Sequence, residues 1–124
     1  MDNTILITGF NGEIGTQTLL SLSNQKTHII ALDIHEPDIK YDNITYIKDS
    51  ILNKDVIQSI FSDYHIAEIY HFAALLSQSA NKNPQLAYEV NEEGSKLIIN
   101  SAMNHGKKHQ SFVKLFFPSS IAVY

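Results

Sequence analysis

The chain has 124 residues, of which 44% are hydrophobic and 18% charged, enough for one globular domain with a core of its own. Its net charge of -4 gives no reason to expect nucleic acid or an anionic membrane surface as a partner. The absence of cysteine excludes a disulfide, a thiolate nucleophile and a zinc–sulfur site, and a reducing cytoplasm is the expected compartment.

The first element is the apolar run Thr4-Ile5-Leu6-Ile7-Thr8, which stops at Gly9. Gly12 and Gly15 follow at three-residue intervals, and the polar–apolar pattern that begins at Glu13 has helical spacing to about Asn24, with Ile14, Leu19 and Leu22 inward. The stretch reads as a buried strand, a tight turn and a helix N-terminus, whose free N–H groups and dipole suit a phosphate. In such a turn Gly9 lets the chain bend off the strand, Gly12 admits a pyrophosphate to the backbone, and Gly15 lets the helix pack closely. The spacing is G-x-x-G-x-x-G rather than the usual G-x-G-x-x-G, so an ordinary strand-to-helix turn is the alternative. A second apolar run, His28 to Leu32, ends in Asp33. An acid there can accept hydrogen bonds from an adenosine ribose and would repel a 2′-phosphate, which favours NAD over NADP.

Residues 34–43 contain Pro37 and several charges and read as loop, and Ile44 to Lys48 has the β propensity of a third strand. Asn53 is a plausible N-cap for a helix to about Tyr64 with Val56, Ile57, Ile60 and Phe61 on its inner face. A fourth strand is expected over Glu68 to Phe72, ending in Ala73-Ala74, and then a small, polar loop from Ser77 to Asn83. Asn83-Pro84 should open a long helix that carries Leu86, Val90, Gly94, Leu97 and Ser101 along one stripe and stops at Gly106. Because Gly106 separates His105 from His109, a helical metal pair is not expected, and no other metal set stands out. A fifth strand spans Phe112 to Phe117, and Pro118-Ser119-Ser120 leaves it.

Strands that alternate with helices predict an α/β fold, a doubly wound parallel sheet of about five strands in the order 3-2-1-4-5. Ligands in such sheets lie beyond the carboxyl ends of the strands, here Gly9, Asp33, Asp49, Ala73-Ala74 and Ser119-Ser120.

Thr8-Gly9-x-x-Gly12-x-x-Gly15, Asp33, His71-Phe72-Ala73-Ala74, Asn91 and Ser119-Ser120 together resemble the extended short-chain dehydrogenase/reductases, the NAD-dependent epimerase/dehydratase family. Ala73 to Ser77, Lys82 to Ala87 and Pro118 to Tyr124 are similar to its L-threonine 3-dehydrogenase branch. The resemblance implies a Rossmann-like NAD-binding domain over residues 1–124. Gly9, Asn11, Gly12, Glu13 and Ile14 would line the pyrophosphate turn, Asp33 and Ile34 would hold the adenosine ribose, and Asp49 and Ser50 would sit by the adenine. Phe72, Ala73 and Ala74 would underlie the nicotinamide half, with Asn91 near the cofactor and Ser119 beside the nicotinamide. Ser77 would touch a small-molecule substrate, and Ser120 matches the hydroxyl that hydrogen-bonds the reacting oxygen.

The sequence departs from the family at its base, a tyrosine in Tyr-x-x-x-Lys. A phenol ionises near pKa 10 and needs a neighbouring cation to act as a base at neutral pH. Tyr41, Tyr46, Tyr64, Tyr70 and Tyr88 are followed four places on by Thr45, Ser50, Glu68, Ala74 and Glu92, and Tyr124 is last. The expectation is therefore an NAD-binding portion, without the family's substrate domain, that is inactive alone. A fragment of a nucleotide-sugar epimerase or dehydratase and a non-catalytic nucleotide-binding remnant are the alternatives. The crossover rule leaves the first helix alone on one face, so the sheet is expected to be incomplete on its C-terminal side. Val113, Leu115 and Phe117, or their alternates, would then be exposed as an apolar patch prone to homo-oligomerisation or aggregation.

Overall fold

The computed structural model describes residues 3–10, 13–25, 27–37, 40–72, 85, 90–117 and 120–123. Six strands form one sheet in the order β3-β2-β1-β4-β5-β6. These are β1 Asn3–Thr8, β2 His28–Asp33, β3 Ile44–Lys48, β4 His65–His71, β5 Lys114–Phe117 and β6 Ser120–Val123. The first five are parallel, in the doubly wound order expected from the alternation of elements. The sixth is an addition: β6 runs antiparallel to β5, with Phe117 opposite Ser120 and Lys114 opposite Val123. Ser120 therefore does not leave the sheet but re-enters it, because Ile121-Ala122-Val123 has the β-branched character to pair with an open edge.

Strand β1 is central and almost wholly buried, as a strand covered on both faces is. Its alternate residues feed two cores. Leu6 joins Ile30, Ile66 and Leu115 under helices α2 (Lys54–Asp63) and α3 (Ser95–His109). Ile5 and Ile7 join Ile29, Ala31 and Phe72 under α1 (Glu13–Ser23), where Leu19 and Leu22 are buried as their spacing predicts. In β4 the register slips between the partners of Thr4 and Ile5, which pair with Ile66 and Glu68. The slip puts both Ile66 and Ile69 in the same core although they are three residues apart.

Asn53 caps α2 as expected, its side-chain oxygen accepting from the N–H groups of Asp55 and Val56. Helix α3 differs from its predicted phase. The buried positions are Ile98, Ala102, His105 and Gly106, with Gly94 before them, while Leu97 and Ser101 are only half-buried. A π-helical turn, Val90–Gly94, precedes α3. Such a turn holds an extra residue and rotates everything after it by about one position. Gly94 then faces Ile51, whose Cγ2 would lie 3.0 Å from a Cβ on residue 94.

Gly106 does not stop the helix either. The chain continues to His109, and Gln110 takes the left-handed conformation at φ 53°. The N–H of Ser111 donates to the Gly106 carbonyl at 3.0 Å, closing a Schellman motif with glycine inside it rather than at its end. The Asn83-Pro84 cap falls outside the described residues. Val113 and Leu115 are fully buried under α3, which decides between the two sets expected as the open patch. Their alternates are the open ones: Phe112 is 78% exposed, and Phe116 is half-buried and stacked on Tyr70 at 4.5 Å.

The shifted phase of α3 can be measured. Ile98→Ala should lower stability by about 2–5 kcal/mol in denaturant unfolding, as loss of a fully buried isoleucine does. Leu97→Ala should cost clearly less. Equal losses would restore the stripe read from the sequence.

Candidate functional site at the carboxyl edge of the sheet

Three backbone hydrogen bonds stitch the carboxyl ends of neighbouring strands together. The N–H of Asp49 donates to the Asp33 carbonyl at 3.0 Å, that of Gly9 to Leu32 at 2.9 Å, and that of Phe72 to Thr8 at 2.8 Å. Asp49, Asp33, Gly9 and Phe72 thus follow one another along a single edge. These four predicted site residues, which belong to four strand ends, are brought together by the ladder itself.

Gly9 sits at φ 72°, a left-handed conformation that glycine adopts at no steric cost. Helix α1 then comes back against the turn so closely that a Cβ on residue 15 would lie 2.6 Å from the Gly9 carbonyl oxygen and 2.8 Å from the Phe10 backbone. Only glycine fits there. Thr16 Oγ1 donates to the Phe10 carbonyl at 3.2 Å and fixes the helix on the turn. The Phe10 ring is buried edge-on to Tyr46, with centroids 5.7 Å apart. Tyr46, whose hydroxyl accepts from the Tyr41 N–H at 3.0 Å, has its pKa raised by burial.

Asp33 is buried, and its Oδ1 accepts from the His35 N–H at 2.9 Å and lies 3.1 Å from His35 Nδ1. This Asx-type turn holds the buried carboxylate beside the exposed His35 ring. Ile34, between them, is exposed. Asp49 and Ser50 instead build the entry to α2. Asp49 Oδ1 accepts from the Ser50 N–H at 2.7 Å and from Asn53 Nδ2 at 3.1 Å, and Ser50 Oγ accepts from the Leu52 N–H at 3.0 Å.

The backbone places Glu13 and Ile14 at the start of α1, Asn91 in the π-helical turn and Ser120 at the start of β6, opposite the end of β5. Asn11, Gly12, Ala73, Ala74, Ser77 and Ser119 lie outside the described residues. No group of three or more histidine, cysteine or acidic side chains among the described residues could hold a metal. No described helix is long and apolar enough to cross a membrane.

Two buried histidines went unassigned in the sequence. His71 lies at the end of β4 and His105 at the opposite end of the sheet, and burial lowers the pKa of each to about 4. His105 accepts the Ile66 N–H on Nε2 at 3.0 Å. His109, His65 and Lys108 add repulsion to its charged form, while a hydrogen bond with the Phe61 backbone acts the other way. The signal for both was a histidine set at a core position of an apolar strand or helix face.

A family model for the NAD dependent epimerase/dehydratase family matches residues 5–124. The chain belongs to this family. Among its relatives, an uncharacterized epimerase/dehydratase of Staphylococcus haemolyticus is 31% identical over 97% of the chain, which spans 37% of that relative's length. A monomeric L-threonine 3-dehydrogenase of metagenomic origin, solved in its apo form, superposes with a TM-score of 0.71 at 31% identity, over 90% of this chain and 34% of that one. The epimerase Mth375 of Methanothermobacter thermautotrophicus gives a TM-score of 0.72 at 25% identity, over 83% and 32%. The chain therefore spans about a third of the length of each of these three proteins.

Two outcomes follow for this epimerase/dehydratase chain. Gly15→Ala should cost at least about 1–3 kcal/mol, because its Cβ meets backbone rather than a yielding side chain. Thermal unfolding of the purified variant measures it. The histidines set an acid limit. Their folded pKa of about 4 lies below the unfolded value of 6.5, so the native state binds fewer protons. Their contribution is complete above pH 6.5 and is lost as pH falls towards 4. The melting temperature should drop between pH 7 and pH 4.5, and His105→Phe should flatten that slope.

Proposed function

We propose that residues 1–124 form the NAD-binding domain of a cytoplasmic oxidoreductase resembling L-threonine 3-dehydrogenase, which passes a hydride from L-threonine to NAD. The observation that carries this reading is the fit of α1 against Gly9, where a glycine-only contact brings a helix N-terminus to the end of the central strand. Membership of a family described as NAD dependent supports it. So does the likeness to a threonine dehydrogenase.

The pyrophosphate would be held by backbone N–H groups of the turn from Gly9 through Gly12, Glu13 and Ile14, which carry the positive end of the helix dipole. Asp33, with Ile34 beside it, would accept hydrogen bonds from the adenosine ribose, those bonds joining or replacing the two from His35. Asp49 and Ser50 would border the adenine. Phe72, Ala73, Ala74, Asn91 and Ser119 would flank the nicotinamide half, Ser77 would contact substrate, and Ser120 would donate a hydrogen bond to the reacting oxygen. Bound NAD supplies the hydride acceptor. The 124 residues contain no Tyr-x-x-x-Lys, so a base for the substrate hydroxyl is not among them. A fragment of a nucleotide-sugar epimerase or dehydratase is the second reading; the likeness to Mth375 supports the epimerase class, not a substrate.

Titration calorimetry and an absorbance assay for NADH test the proposal. NAD should bind more tightly than NADP, and Asp33→Asn should narrow that difference. No NADH should accumulate with L-threonine. Absence of any heat with NAD would overturn the binding reading, and steady NADH formation would overturn the expectation of inactivity.

A further inference from the structure

One buried imidazole touches the chain next to three separate segments of the proposed cofactor edge. His71 Nδ1 lies 2.6 Å from Thr8 Oγ1, and Thr8 immediately precedes Gly9. Its other nitrogen, Nε2, lies 3.2 Å from Ser95 Oγ, and Ser95 immediately follows the π-helical turn that contains Asn91. His71 itself immediately precedes Phe72, whose N–H is bonded to the Thr8 carbonyl. The ring and the Thr8 side chain have no exposed area. A neutral imidazole offers one donor and one acceptor, and two hydroxyls can match either tautomer, so both contacts are made at once without a buried charge.

We propose that His71 is a positioning residue for dinucleotide binding, holding the glycine turn, the Phe72 strand end and the Asn91 turn at fixed separations through Thr8 and Ser95. The inference rests on the NAD-binding reading above. Its physical basis is that the three segments hang on different elements, β1, β4 and α3, and the sheet ladder secures only the first two to each other. The side-chain bond to Ser95 fastens the third. Without it the π-helical turn is held at this point by packing of Gly94 on Ile51. A ligand that spans the edge then has to order that turn itself, which weakens binding.

Ser95→Ala and Thr8→Val each remove one hydroxyl and little volume, and His71→Phe removes both bonds. The control is His105→Phe, which disturbs another buried imidazole at the far end of the sheet. Dissociation constants for NAD by calorimetry are compared with melting temperatures measured without NAD. Ser95→Ala and Thr8→Val should each raise the dissociation constant about three- to tenfold, the span expected of one net hydrogen bond. His71→Phe should raise it about tenfold or more. His105→Phe should lower the melting temperature while leaving NAD affinity within about twofold of the parent. If His71→Phe does not fold, the two hydroxyl variants decide the matter. Parent-like affinity in either of them overturns the proposal, as does an equal loss in His105→Phe, which would make the effect one of general stability. Failure of the parent chain to bind NAD would instead sink the cofactor reading, and this inference with it.

Discussion

Helix α1 meets the carboxyl end of β1 only because residue 15 has no side chain. A methyl group there would overlap the backbone of Gly9 and Phe10, so the turn would have to open or the helix to tilt away. Much else depends on that contact. It lets α1 cover Ile5 and Ile7 on a face of the sheet that no other described helix reaches. It also ends the central strand in a sharp bend, leaving the end of β1 next to Asp33 on one side and Phe72 on the other. Packing and the candidate site therefore share one constraint, and the sequence satisfies both with one glycine.

The two ends of the sheet use buried histidine in different ways. At the amino end, His105 accepts an otherwise orphaned strand N–H from Ile66, which fixes its tautomer and fastens α3 to β4. At the carboxyl end, the His71 ring lies between the hydroxyls of Thr8 and Ser95. The first arrangement satisfies a buried backbone donor near the start of β4. The second ties side chains that flank loops. Burial is the first cause that lowers the pKa of both rings to about 4, so both are neutral near pH 7.

The features legible in the sequence were those set by local pattern. Strand-to-turn punctuation gave β1, the Gly9 bend and the parallel order, and an asparagine before an amphipathic run gave the start of α2. The misreadings arise where one local rule is displaced by a longer-range one. The stripe of α3 was read at 3.6 residues per turn, and one wide turn before it moved the buried set by a position. Gly106 carries the sequence mark of a helix stop, but burial of His105 beside it and the Schellman bonds carry the helix on to His109. Strand β6 was missed because its pairing partner is the edge of β5, and an antiparallel return is not implied by an alternating pattern. Of the candidate site, strand ends could be placed from sequence because loops follow strands. The His71 contacts could not, since Thr8 and His71 are sixty-three positions apart and Ser95 lies on another element.

The uneven cover of the sheet follows from the same topology. Strands β4 and β5 bury one face under α2 and α3, and on the other face they carry Glu68, Tyr70, Lys114 and Phe116 in register. Glu68, Tyr70 and Phe116 are half-buried and Lys114 is exposed, and Tyr70 packs against the cluster under α1. Glu68 and Lys114 are opposite charges on adjacent strands, and the Tyr70 and Phe116 rings stack within 5° of parallel, shielding apolar area from water against each other. Burial and the nearby Glu68 raise the Tyr70 pKa, so its hydroxyl stays protonated beside the stack. Tyr70 links this face to the cluster under α1 through Phe72, while Val113 and Leu115, on the other side of β5 and its approach, enter the core under α2 and α3.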